Sequence, residues 1–372
     1  MLRHFAIAGP SVLHRHVQTA AGANPGYAPH FSPGTAPGLA VQGDADGLAG
    51  PTTGPFSLNG ATEGAARFNF STSLSQIARF AADEEARNAA GGGAGFAGEA
   101  LAGAATRYSP WDLWAEGKYA SFRDTSSAGA GDLDGHIGLV SIGADYVLGP
   151  RLLLGLMGQF DSMSQSSASQ SSKASGQGWL AGPYATVKIT DNLYWQARGA
   201  FGTSLNDISP SLIYIDHVTT QRWLASSTLA GRWLRGGWSF NPSLAVTYLE
   251  DVANPHNDPL GVAVPEIKSR LGEAKLGPEV GYHIQASREL TLEPHAGMQL
   301  IWNFANDVTA TGFDNVGSGI SGPTGVRGRA DAGLSASYAG GYTLDLTGSY
   351  DGIGAGGYSS VAGRADLRVP LN

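Results

Sequence analysis

The 372-residue chain contains no cysteine. Disulfides and thiolate metal sites are therefore excluded, which is compatible with an exported protein. Charge is scarce as well: Asp, Glu, Lys and Arg make up 15% of the sequence, where about 25% is usual. The net charge of −8 comes with no basic stripe or aromatic-basic platform, so no nucleic-acid partner is expected. Nor does any run approach the roughly 18 consecutive apolar residues of a membrane-spanning helix. A β-barrel is the one membrane-spanning structure left open. What is abundant is glycine, with 54 residues, about twice average usage.

The opening "MLRHFAIAGP" has one arginine and an apolar core too short for a signal peptide. A natural start upstream, or a fragment, is the expectation. Residues 1–71 are rich in Gly, Ala and Pro ("NPGYAPHFSPGTAPG", "GLAGPTTGP") without period 2 or 3.6, and read as an arm or passenger remnant. In "STSLSQIARFAADEEARNAAGGG", Ser73 and Gln76 have capping-box spacing, and Leu74, Ile77, Ala78 and Ala81 share a stripe. Glycines from Gly91 end the segment. A linker helix is expected within 72–95, about 25 Å long at about 1.5 Å per residue.

Residues 96–372 are the barrel domain, and from Trp111 the period is 2. About twelve strands are expected, near 111–122, 136–148, 151–163, 177–189, 192–205, 218–235, 237–250, 272–285, 289–304, 326–339, 341–351 and 358–371. The stretch "ELTLEPHAGMQLIWNF" (289–304) shows the pattern. Leu292, Pro294, Ala296, Met298, Leu300, Trp302 and Phe304 alternate with Glu293, His295, Gln299 and Asn303. In every strand one parity carries no Asp, Glu, Lys or Arg, save for Arg235 and Glu250 at the ends of 218–235 and 237–250. Long connections ("RDTSSAGAGDLDG", "SQSSASQSSKASG", "NDISPSLIYIDH", "DVANPHNDPLGVAVPEIKSR", "NDVTATGFDNVGSGISGPTG") follow odd strands. Short ones ("LGP", "TDN", "RGG", "ASRE", "AGG") follow even strands, the asymmetry of outer-membrane barrels. The fold class expected is an all-β, about 12-stranded antiparallel transmembrane barrel with the N-terminal helix threading its lumen. A barrel of that size falls between filled eight-stranded and open sixteen-stranded ones, and a helix about 10–12 Å wide fits.

Candidate site residues follow from parity. Glu116, Lys118, Arg198, Arg222, Arg232, Glu273, Lys275 and Arg364 are expected to line the pore, with Glu279, Asp345 and Arg368 on the same parity. Trp111 and Tyr119, Trp223 and Trp233, Trp238 and Tyr248, and Tyr342 and Tyr350 form pairs eight or ten residues apart on the other parity. Ten residues on a tilted strand rise roughly 25 Å, the separation of two aromatic girdles. Leu244 is placed on the lipid face. Pro183, Pro242, Pro278 and Pro294 also point to the apolar side, and bulges are expected there.

Other motifs have blander readings. "GIGAGG" (Gly352, Gly354, Gly357) matches a dinucleotide-binding pattern but no helix follows it, so it reads as a loop. "DADG" (Asp44–Gly47) begins like a calcium loop, yet the bidentate position is Pro55. His4, His14, His16 and His30 lie in the arm and read as solvated imidazoles. No cofactor is expected. Asp216, His217 and His256 lie near long-loop ends and define a rim-hydrolase alternative, though no nucleophile elbow supports it.

Across residues 70–372 the chain resembles the autotransporter translocator domain of type V secretion. "WDLWAEGKYASF", "GLVSIGADYVLGPRLLLGLMGQF", "LTLEPHAGMQLIW" and the terminal "GRADLRVPL" carry the resemblance. It implies a monomeric, non-enzymatic barrel in the lipid of the bacterial outer membrane, exporting or displaying its N-terminal segment at the cell surface. It also implies barrel-assembly machinery and periplasmic chaperones as partners. The family's last strand closes on an aromatic read as an assembly signal. Leu367, Val369 and Leu371 keep the alternation here, but Leu371 replaces the aromatic and Asn372 trails it. The family's Asn-Asn cleavage motif is not seen near Asn88. A plugged, porin-like channel is the alternative function.

Overall fold

The structure, a computed structural model, describes residues 110–125, 133–168, 171–209, 212–310, 325–339 and 341–370. The arm 1–71, the expected helix in 72–95 and Leu371 lie outside the described residues. The strands run β1 Trp111–Asp124, β2 Leu133–Gly149, β3 Leu152–Ser167, β4 Ser172–Lys188, β5 Leu193–Ser209, β6 Asp216–Gly231 and β7 Trp233–Arg235. They continue as β8 Trp238–Phe240, β9 Ser243–Ala253, β10 His256–Asn257, β11 Ala263–Val264, β12 Ile267–Gly277, β13 Glu279–Tyr282 and β14 Ile284–Gln285. The last four are β15 Leu290–Ala310, β16 Gly325–Tyr338, β17 Thr343–Ile353 and β18 Tyr358–Pro370.

Segments β6 and β7, β8 and β9, and β12 to β14 each join into one stave, because the register runs through their breaks. Twelve antiparallel staves result. The last pairs with the first, from Asp112 opposite Pro370 to Asp124 opposite Tyr358, and closes the barrel. Closure follows from the solvent: in hydrocarbon every unpaired N–H or C=O is costly, and a closed ladder has no edge.

Side chains separate by parity. Even positions of β1 and odd positions of β2 and β3 are mostly buried, while their alternates are exposed or half-buried. The exposed set is apolar and large, including Phe160, Phe201, Leu156, Leu244, Met298 and Trp302. A water-facing surface rarely carries such a continuous band, and a lipid-facing one requires it.

The strand limits and the proline bulges expected from the sequence both differ in the structure. Strands extend beyond the expected limits on the long-loop side, by six residues at Ala310 and by five at Ser172 and Ile267. Beyond the hydrocarbon the outer face no longer needs apolar residues, so alternation fades while backbone pairing continues. "SQSSASQSSKASG" is therefore mostly paired strand around a turn near Ala168–Ser171.

The strand prolines also do not sit at bulges. Register shifts fall at Val147/Gly149, Gly272/Glu273 and Gly328/Arg329 instead. Pro242 and Pro278 face each other one step beyond the Gly277–Ser243 pair. Each turns its carbonyl to the outer neighbour, where Gly231 N donates to Pro242 O at 2.8 Å and Met298 N to Pro278 O at 3.2 Å. Only the reciprocal bond is lost, which interrupts the strand without shifting it.

The inward face, finally, is not uniformly polar. Ala200, Leu224, Leu249 and Leu271 are successive inward cross-strand partners, joined by Leu180, Ile208, Val218 and Ile267 in one buried cluster.

Glycine permits both the turns and the packing. In the "RGG" turn Gly236 and Gly237 have φ of 58° and 85°, the left-handed pair that a two-residue hairpin demands. Elsewhere it leaves room for rings on the facing strand. Gly143 lies under Trp114, Gly135 under Phe122 and Gly155 under Tyr184, and any Cβ there would meet the ring within 2.4 Å.

Candidate functional site

The lumen is built by the inward parity of all twelve staves. Near the short-turn rim Trp114 Nε1 donates to the Tyr184 hydroxyl at 2.8 Å, and that hydroxyl donates to Asp145 at 2.7 Å. Arg368 Nη2 donates to the same carboxylate at 2.9 and 3.0 Å, and its Nε to Asp112 at 2.7 Å. This network spans β1, β2, β4 and β18, so the closing seam is held by paired charge as well as backbone.

Toward the long-loop rim two arginines are each held by two carboxylates. Arg222 pairs with Asp161 at 2.6 Å and Asp251 at 3.0 Å. Arg327 pairs with Glu273 at 2.9 Å and Asp351 at 2.8 Å, and donates to Asn303 at 2.9 Å. Such pairs bring little net stability, because desolvation offsets attraction. Removing one member, however, strands a buried charge.

Of the residues expected to line the pore, Glu116, Lys118, Arg198, Arg222 and Glu273 lie inward and buried. Lys275, Arg364 and Arg232 lie inward and part-buried. Lys275 reaches Glu273 at 3.0 Å, Arg364 reaches Asp366 at 2.8 Å, and Arg232 approaches Glu293 at 3.6 Å. The structure thus brings them into one lumen but in separate clusters. Parity reasoning did not single out Arg327, Asp351, Asp161, Asp251, Trp114 or Tyr184. Inward parity was their one signal, and partner choice depends on neighbours far away in sequence.

All eight girdle candidates face outward. Trp111, Trp233, Trp238 and Tyr342 stand at the short-turn side and Tyr119, Trp223, Tyr248 and Tyr350 nearer the long loops. Ring contacts join neighbouring staves: Trp111 to Tyr146 at 4.9 Å, Trp238 to Tyr282 at 5.0 Å and Trp223 to Tyr248 at 5.0 Å. Of the assembly-signal residues, Leu367 is exposed opposite Ala115 and Val369 is half-buried opposite Leu113.

The rim trio separates. Asp216 points inward and His217 outward, as adjacent strand residues must. His217 Nδ1 lies 2.6 Å from Asp207, whereas Asp216 lies 2.9 Å from His256 Nε2. Asp216–His256 is one of two latches on the connection 254–266, which folds back toward the barrel. The other is the Tyr214 hydroxyl, which donates to Asp258 at 3.0 Å. Burial and the Asp258 carboxylate raise the Tyr214 pKa above the ordinary tyrosine range, so it stays a neutral donor. Val264 is thereby buried in the inward apolar cluster. "GIGAGG" is the β17–β18 turn, with Gly352, Gly354 and Gly357 all at positive φ.

A family model described as the autotransporter β-domain matches residues 113–351. The chain belongs to that family. Among solved structures, the β-domain of the Bordetella autotransporter BrkA superposes with a TM-score of 0.55 at 17% identity, over 70% of this chain and 100% of that one. The transport unit of the Escherichia coli autotransporter AIDA-I gives 0.55 at 12% identity, over 72% of this chain and 92% of that one. At such identities the likeness concerns the fold. No curated protein matches the sequence. This autotransporter β-domain is thus an outer-membrane barrel with a translocator and anchor role, and its first strand leaves the short-turn rim, where Val147 N bonds to Pro110 O at 3.0 Å.

Proposed function

We propose that this autotransporter barrel exports its own N-terminal segment and then holds it at the cell surface, acting as pore and anchor and not as an enzyme. One observation carries the reading: Pro110 joins the barrel at the short-turn rim, the periplasmic side of an outer-membrane barrel. Residues upstream therefore reach the surface by way of the lumen. In this reading 1–71 is the displayed arm, 72–95 the linker helix in the pore and 96–372 the barrel.

The inward charges Glu116, Lys118, Arg198, Arg222, Arg232, Glu273, Lys275 and Arg364 keep the lumen attractive to a polar chain. The eight outward aromatics anchor the band to lipid. The alternation through Leu367, Val369 and Leu371 serves the barrel-assembly machinery, with periplasmic chaperones escorting the unfolded chain and the barrel functioning as a monomer. A cysteine replacing Ala36 tests the display step, since the chain has no other. It is expected to react with a membrane-impermeant maleimide on intact cells. Labelling only after the outer membrane is opened would refute surface display.

A further inference from the structure

Arg198 is the exception among the lumen arginines. Arg222, Arg327 and Arg368 each hold two carboxylates. Arg198 is 8% exposed, and Nε, Nη1 and Nη2 all lack a hydrogen-bond partner. Its cross-strand neighbours are Tyr184, committed to Asp145, and Ser226, bonded with Thr247. Glu116 is 1% exposed and both of its carboxylate oxygens are likewise unpartnered. It faces Asp366 across the seam and shares that residue's cation, Arg364, which acts on it more strongly than Arg198 does. Arg198 and Glu116 lie within electrostatic reach of each other without touching. A buried guanidinium without an acceptor is costly unless something enters beside it.

The upstream segment has the complementary pattern. Arg79, Asp83 and Arg87 are spaced by four, so on a helix they form one stripe of alternating sign. That stripe lies opposite the apolar one of Leu74, Ile77, Ala78 and Ala81. We propose that Arg198 is the seat of this stripe: the Asp83 carboxylate takes the guanidinium fork, with Arg79 and Arg87 one helical turn to either side. The fork geometry of arginine fits a carboxylate in two-point contact. The inference rests on the reading that 72–95 occupies the lumen and adds where it stops. Arg198 is then a positioning residue that fixes the linker's depth and rotation.

The absence of cysteine makes the test direct. Full-length protein carrying Asp83→Cys and Arg198→Cys, folded into liposomes and oxidised, is expected to form the disulfide. Arg87→Cys with Arg198→Cys is expected to yield several-fold less. Joining of Asp83→Cys to Thr247→Cys, in place of Arg198→Cys, would overturn the seat while leaving the linker in the lumen. Joining to neither, with Asp83→Cys labelled from the short-turn side, would overturn lumen occupancy as well. A charge exchange covers variants that fold poorly. Arg198→Asp should lower the temperature at which the barrel unfolds on gels, and adding Asp83→Arg should restore it. No restoration would mean that Arg198 serves a solute anion or the wall alone, and would overturn the seat.

Discussion

Leu244 on β9 faces outward and is exposed, between Pro242 near the short-turn rim and Tyr248 toward the long loops. A guanidinium there must leave water for hydrocarbon. Leu244→Arg is expected to cost about 2–4 kcal/mol near the midplane, measured by reversible unfolding from liposomes. No change would place β9 in the opposite register. The inner face obeys a packing rule instead. A Cβ at Gly155 would lie 2.2 Å from the Tyr184 ring, which is held by bonds to Trp114 and Asp145. Gly155→Val should therefore destabilise by about 1–3 kcal/mol. A double-mutant cycle with Tyr184→Ala should show coupling, and additivity would mean that the ring moves aside freely. Parity told outward from inward at both positions, but the ring over Gly155 is a cross-strand fact.

Elements behave differently on the two sides of the membrane. At the short-turn rim the Gly236–Gly237 connection is fixed by two left-handed glycines and tolerates no slack. At the other rim the strands rise past the apolar band, and the connection 254–266 turns back to bury Val264. Two contacts latch it, Asp216–His256 and Tyr214–Asp258. Asp216→Ala should raise the rate of chymotrypsin cleavage after Leu260 several-fold, because cleavage samples local opening. An unchanged rate would show that the apolar contacts of Val264 suffice without the latch. The length of this connection was legible in the sequence. Its inward fold was not, since Val262 and Val264 look like any loop valines until Leu249 and Leu271 are seen to face the lumen.

For the whole molecule the question is whether the lumen conducts. A porin conducts intact, whereas a translocator filled by its own linker conducts mainly once that linker is gone. Deleting residues 1–95 is expected to raise single-channel conductance in planar bilayers several-fold over the full chain. Equal conductance before and after would favour the channel alternative.

Period-2 alternation, absence of long apolar runs and asymmetric connections determined by themselves that the chain is a twelve-stave barrel, and which parity meets lipid. These are local properties: a strand's two faces follow from the pleat, and the solvent on each face selects its residues one strand at a time. Tertiary structure alone decided the partners along the lumen wall: Arg222 between Asp161 and Asp251, Arg327 between Glu273 and Asp351, and Arg198 with none. Those choices depend on barrel closure and stave register, which bring together side chains up to 256 positions apart, as in Arg368 and Asp112. A repeat of two residues carries no information about which residues of nearby staves come level with one another on a closed wall.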